Sequence, residues 1–360
     1  MRNIVLLVFA FALSRGAVLG QDTSHAKPVF SAYVDGYYGF YTDSVGDDNY
    51  QKFPSVSPRS SFGLNTAMLT AQYDGQKIRG IVTLHFGDVP RSTWSSTLNA
   101  VMEAHAGLRL CKKLWLDAGL FRTHFGTEGL LPRENFTSSV SVGTFYEPYY
   151  EAGARLSYSP NDKLAVNLYA LNGYGLYEDN NRKKSIGLLV TYALGDKGNV
   201  GYSNYTGDDT PTGDSVAHLR IHNNVFVNYQ IRNLKIQVGA DYCLQQNADV
   251  ETGQKQATMQ SALASLKYNC GKNISPYARV ELFNDPDGFM SGVIEDRNSK
   301  LTGLKLWGVT AGVEYKPTEN SYLRLEGRQL QMDADQTIFR WDGGARSRRF
   351  EVTSNIGVWF

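Results

Sequence analysis

The chain has 360 residues, a formal net charge of +1, and 22 Tyr, 17 Phe and 35 Gly but only 11 Pro. The near-neutral charge argues against nucleic acid or an anionic surface as partner. A mean hydropathy of −0.33, with no long apolar run after residue 20, excludes a helical membrane protein but not a barrel, half of whose strand residues are polar.

The first twenty residues read as a secretory signal: Arg2 supplies the positive start, residues 4–13 an apolar run, and Val18-Leu19-Gly20 a cleavage site before Gln21. A spanning helix needs about twenty apolar residues, so the short run predicts cleavage rather than anchoring. Residues 21–360 are then a single exported domain. No Cys follows the cleavage site, so no lipid anchor is indicated.

From residue 31 onward, apolar and polar residues alternate with period 2. The clearest runs set Ala100, Met102, Ala104, Ala106, Leu108 and Leu110 outward against Glu103, His105 and Arg109, and Tyr150, Ala152, Ala154, Leu156 and Tyr158 against Glu151, Arg155 and Ser157. Further on, Leu219, Ile221, Val225, Val227 and Tyr229 oppose His218, Arg220, His222, Asn224 and Asn228. Leu234, Ile236, Val238, Ala240, Tyr242 and Leu244 oppose Lys235, Gln237 and Asp241. In all, about sixteen strands are predicted, near 31–41, 62–73, 77–87, 99–110, 114–124, 149–159, 164–172, 184–194, 199–206, 217–229, 234–245, 257–268, 274–284, 303–315, 321–332 and 348–360. Tight turns such as Asp74-Gly75-Gln76 and Cys111-Lys112-Lys113 take turns with long stretches, the longest at 125–148. Short turns on one rim and long loops on the other predict an all-β, up-and-down antiparallel transmembrane barrel, with the short side periplasmic.

The chain's last strand alternates to its final residue, Phe360. A chain seldom ends on a residue buried in a core, whereas a terminal Phe suits a membrane interface. Tyr73, Tyr158, Tyr192, Tyr229, Tyr268 and Tyr315 recur in the same phase before short turns, so with Phe360 they are expected to form an interfacial girdle, apolar ring in lipid and polar tip in water.

The residues expected inward are strongly charged: Asp35, Arg79, His85, Glu103, His105, Arg109, Arg122, Glu151, Arg155, His218, Arg220, His222, Lys235, Asp241, Arg279, Glu281, Lys305, Arg324, Glu326, Arg328, Arg349 and Glu351. At mid-membrane an Arg or Lys facing lipid would cost roughly 2–4 kcal/mol, so these are expected to line water or to brace the wall as cross-strand ion pairs. Bases outnumber acids among them, which predicts a weak anion preference. By analogy with general porins of this strand number, 125–148 folds into the channel, making Glu128, Arg133, Glu134, Asn135 and Glu147 constriction residues opposite Arg79, Arg109 and Arg122; the alternative is a loop covering the mouth.

Other chemistry finds little support. The strand histidines sit on different walls with no Ser-His pairing, so no catalysis is expected, and no cofactor motif occurs. Residues four apart on a strand are about 13 Å apart, too far for His218 and His222 to share an ion. Asp208, Asp209 and Asp214, or Asp285 and Asp287, are weighed as calcium sites but read first as solvated turns, so no metal site is assigned. Cys111, Cys243 and Cys270 are predicted to be free thiols, because Cys111 and Cys270 fall in turns about eight strands apart.

The order of several motifs resembles the OmpL-like β-barrel porin family of Gram-negative bacteria. They are Ala32-Tyr33-Val34-Asp35-Gly36-Tyr37-Tyr38, Leu64-Asn65-Thr66-Ala67, Leu84-His85-Phe86-Gly87-Asp88, Leu114-Trp115-Leu116-Asp117-Ala118-Gly119, Phe145-Tyr146-Glu147-Pro148-Tyr149-Tyr150, Leu282-Phe283-Asn284-Asp285-Pro286-Asp287-Gly288 and Gly357-Val358-Trp359-Phe360. One departure is Leu120, where the family pattern leads us to expect a polar residue. The resemblance implies an outer-membrane porin-like barrel, with Phe360 as a label for the barrel-assembly machinery, and names no substrate. A channel for passive diffusion of small hydrophilic solutes is the leading expectation. The competing one is a structural or adhesion barrel that binds partners through its extracellular loops. Outer-membrane lipid is the expected surrounding, and a homo-oligomer is left open.

Overall fold

The structure, a computed structural model, describes residues 27–44, 46, 53 and 55–360; the expected signal sequence and its cleavage site lie outside them. Sixteen antiparallel strands close into one barrel, each paired with its neighbours in sequence. They are β1 Val29–Tyr41, β2 Phe62–Asp74, β3 Ile78–Phe86, β4 Val101–Cys111, β5 Leu114–Arg122, β6 Tyr150–Tyr158, β7 Leu164–Leu171 and β8 Ser185–Ala193, followed by β9 Gly198–Asp208, β10 Leu219–Ile231, β11 Leu234–Gln245, β12 Ala257–Tyr268, β13 Ile274–Asn284, β14 Lys305–Tyr315, β15 Ser321–Met332 and β16 Arg348–Trp359. Two short hairpins, Ile294–Glu295 with Leu301–Thr302 and Phe339–Trp341 with Gly344–Arg346, stand in the long loops. A helix α1, Asp88–Thr93, lies between β3 and β4, and α2, Val142–Phe145, lies between β5 and β6.

The alternation is the cause of the closure. On β16, Phe350, Ile356 and Val358 are 40%, 57% and 44% exposed, while Arg349, Glu351 and Asn355 are at most 2% exposed. A water-soluble fold would bury the first set and expose the second. β1 pairs β16 from Tyr33 with Trp359 to Tyr41 with Glu351. The last residue joins the seam too, since Phe360 and Ala32 exchange backbone hydrogen bonds of 3.1 and 2.8 Å.

Inward aromatics lock the register. Tyr37, Phe226, Tyr277 and Tyr322 stand directly opposite Gly63, Gly201, Gly312 and Gly357 on neighbouring strands. Each ring lies over its glycine so closely that a Cβ there would come within 2.2–2.5 Å of it. A cross-strand ring needs such a gap to lie flat on the wall.

Four wall residues, Met102, Tyr150, Ala152 and Lys305, do not face as expected. β4 carries a bulge where Thr83 and Leu84 pair with Glu103 and Val101, and Met102, expected outward, is fully buried. Tyr150 and Ala152, also expected outward, are buried with Leu120, Trp94, Leu130 and Leu131 in one apolar cluster, because loop residues rather than lipid cover the long-loop ends of β4–β6. Leu120 therefore needs no polar side chain. Lys305 faces outward rather than inward: it shares the parity of Trp307 and Val309 and pairs with Asp333 at the long-loop rim.

All three cysteines are free, Cys111 exposed at the end of β4, Cys270 exposed after β12 and Cys243 buried on β11. Alkylation of the folded, unreduced protein is therefore expected to modify Cys111 and Cys270 and spare Cys243, as read by intact mass.

Candidate functional site

Residues 123–149, between β5 and β6, run across the lumen and dock on the opposite wall. Two arginines there hold the loop. Arg279 of β13 donates to Glu128 at 2.8 Å and to the Ser139 carbonyl at 2.6 Å. Arg324 of β15 donates to the carbonyls of Pro132, Thr137 and Asn135 at 2.8, 2.8 and 3.0 Å while pairing with Glu314 at 2.7 Å. The wall's carboxylates take up loop N–H groups: Glu326 accepts from Ser138 and Ser139, and Glu281 from Val142. Glu128 also accepts from the Ser141 N–H, just before α2. Nearer the loop's start, Thr127 bonds Asn224 and Gln237 of β10 and β11.

This docking divides the inward charges into two halves. Arg279, Glu281, Arg324, Glu326, Arg328, Arg349 and Glu351 are each at most 3% exposed. Arg328 bridges Glu281 and Glu351, and Arg349 also reaches Glu351, at 2.8, 3.4 and 3.1 Å. These groups were expected to line water or to brace the wall; they form a buried network of ion pairs on the wall where the loop docks. The other half stays wet. On β3–β6, side chains of Arg79, Arg155 and Arg122 are 24%, 20% and 32% exposed. Arg79 and Arg155 converge on Asp117, Arg79 and Arg109 stack on Trp115, and Glu103 and His105 lie beside them.

The loop's charged residues are dispersed. Glu134 pairs with Arg122 at 2.8 Å, and Arg133 lies over the Tyr33 ring. Asn135 closes the loop on itself through both backbone atoms of Gly129. Arg79 and Arg109 meet none of them, because they sit lower on the β3–β5 wall around Trp115, and Arg279 and Arg324 take that place on the far wall. Sequence reasoning missed Asp117, Lys267 and Glu314, although each holds the inward phase of its strand.

Glu147 is buried beside Asp241 and Glu128; burial, then the Asp241 carboxylate, raises its pKa well above the usual range. A folded state that keeps this proton is favoured at low pH, and the advantage fades as pH climbs above about 4.3, the ordinary carboxyl value. Limited proteolysis of residues 140–149 is expected to quicken with rising pH, and Glu147→Gln to flatten that dependence.

Two histidines bond within the wall. His124 bonds Glu151 and the Asn204 carbonyl, His222 bonds Tyr174 and Asp241, and Arg220 stacks on Tyr174. The acidic loop residues close turns: Asp285 accepts from Met290 and Ser291, and Asp208 from Lys183 and Thr210. Among the described residues no group of three His, Cys, Asp or Glu side chains is placed to hold a metal. On the outer face, Tyr158, Tyr192, Tyr268 and Tyr315 are 44–49% exposed and Phe360 77%, at strand ends on the short-turn rim, with Tyr73 and Tyr229 in the same row.

Residues 29–360 match the family model described as "Putative beta-barrel porin-2, OmpL-like". The chain belongs to that family. Among solved structures, this porin is similar to the anion-selective porin from Comamonas acidovorans, with a TM-score of 0.66 at 11% identity, covering 93% of this chain and 100% of that one. It is also similar to the outer membrane channel DcaP of Acinetobacter baumannii, with a TM-score of 0.61, 9% identity and 95% and 99% coverage. A loop-deleted form of OmpT, an outer membrane protein of Vibrio cholerae, gives a TM-score of 0.59 at 14% identity, with 93% and 99% coverage. At such identities the likeness concerns the fold. Comparison with curated protein sequences finds no match. Family and closed barrel together support an outer-membrane location for the porin.

Proposed function

We propose that the barrel is a channel through which small hydrophilic solutes diffuse passively, narrowed by residues 125–148 and weakly selective for anions. The observation that carries this reading is the division of the inner wall. Ion pairs sealed beneath the loop are dry and matched, so they exert little field on a passing ion. The wet half decides selectivity, and there Arg79, Arg109, Arg122, Arg133 and Arg155 face Glu103, Asp117 and Glu134. An excess of base in a cleft with low-dielectric walls raises the local anion concentration. The row of Tyr73, Tyr158, Tyr192, Tyr229, Tyr268, Tyr315 and Phe360 would settle at the periplasmic lipid interface.

Reversal potentials in a planar bilayer under a salt gradient test the reading. Anion preference is expected, and Arg109→Glu with Arg133→Glu is expected to move it several-fold toward cations; both arginines stack on rings and have no carboxylate partner among the described residues, so their loss spares the wall. Cation preference in the unaltered barrel would refute anion selectivity. Liposome swelling with graded sugars tests diffusion itself, and an absence of swelling would favour the structural barrel.

A further inference from the structure

We propose that the short-turn mouth of the barrel holds a binding site for small organic dianions. A cavity of about 520 Å³ opens there between loop residues 133–136 and the rims of β11–β16. Lys235 of β11 and Lys267 of β12 stand directly opposite one another in register, both lining it. Like charges so placed destabilise a sheet. Three carboxylates also line the cavity: Glu314 pairs with Lys267 at 2.6 Å and with Arg324 at 2.7 Å, Glu134 pairs with Arg122, and Glu319 lies in the turn before β15. Among the described residues Lys235 has no carboxylate partner.

A second pair of cations lines the same cavity. Arg133 lies 4.6 Å above the Tyr33 ring and Lys316 5.5 Å from the Trp359 ring, and those two rings are 6.5 Å apart. Neither cation has a carboxylate partner among the described residues. The repulsion between Lys235 and Lys267 serves no fold that we can identify, and an anion between them would relieve it. A solute with anionic groups at both ends would meet both pairs, whereas a monoanion would meet one. The rings are already capped by cations, so the site recognises charge rather than aromatic faces. This site deepens the channel reading and rests on it, concentrating dianions at one entrance; the cavity is open, so affinity would fall with ionic strength.

Calorimetric titration of the folded, full barrel in detergent at low salt tests the proposal, with succinate, acetate and neutral succinamide as probes. Succinate is expected to bind about tenfold or more tightly than acetate, and succinamide to give no heat. Lys235→Gln with Lys316→Gln is expected to weaken succinate about tenfold, while Lys112→Gln, an exposed turn residue eight strands from Asn269, leaves it unchanged. No succinate heat, equal affinity for acetate, or a double variant that binds like the parent would each overturn the site. If the double variant fails to show the heat-modifiable mobility of a folded barrel, the comparison of the three probes on the parent still decides. Liposome swelling is read separately, so a barrel that binds succinate without passing sugars would sink the channel reading and leave the site standing.

Discussion

Deleting residues 128–140 is expected to raise single-channel conductance several-fold, because sixteen strands enclose an interior wide enough for an aqueous channel and this segment fills its middle. The segment brings Leu130, Leu131 and Val140 into an apolar cluster with Tyr33, Met68 and Tyr322, so it blocks space with packed side chains as well as with backbone. Selectivity should change less than conductance. The deletion uncovers Arg279, Arg324 and Arg328, but also Glu281, Glu314 and Glu326, and the newly wetted wall adds acids and bases in equal number. The barrel itself should persist, because its ladder from β1 through β16 makes no backbone pairing with the segment. Unchanged conductance would end the idea that this loop sets the channel's width.

The barrel was legible in the sequence because lipid imposes a period-2 pattern on every strand. The sixteen predicted spans lie within two residues of the observed ones at every boundary, and β11, β12, β13 and β15 coincide with theirs. The pattern failed where lipid does not decide. Met102 turned inward at a bulge, and Tyr150 and Ala152 found loop residues instead of acyl chains, neither of which leaves a periodic trace. Period also shows which side a residue faces but not what covers it. Glu326 and Arg155 are both inward and both charged, yet one is sealed beneath the loop and the other stands in the channel, and only the path of residues 123–149 separates them. The pairs Arg279 with Glu128 and Arg324 with Asn135 are about 150 and 190 residues apart in the chain, and no local spacing announces contacts of that range.

Arg324→Met is expected to release the loop while leaving the strands paired. Arg324 is 2% exposed and satisfies three loop carbonyls and the Glu314 carboxylate at once. Removing one partner of a buried charged network typically costs about 3–5 kcal/mol, since Glu314 and the carbonyls are left unanswered. That penalty falls on the docked loop, because an undocked loop can hydrate the same groups. The undocked population should therefore grow by a factor of about one hundred to a few thousand, as about 1.4 kcal/mol corresponds to tenfold. Protease cleavage within residues 132–138, with the heat-modifiable barrel intact, would report it, and conductance should move toward that of the deletion. Arg324→Lys should rescue little: an ammonium is a point charge and cannot reproduce a planar fork that reaches Glu314 on one edge and the loop on the other. Full retention of the loop in Arg324→Lys would mean that charge alone holds it, whereas full retention in Arg324→Met would shift the anchoring role to Arg279, whose bonds to Glu128, Thr137 and Ser139 grip the same segment from β13.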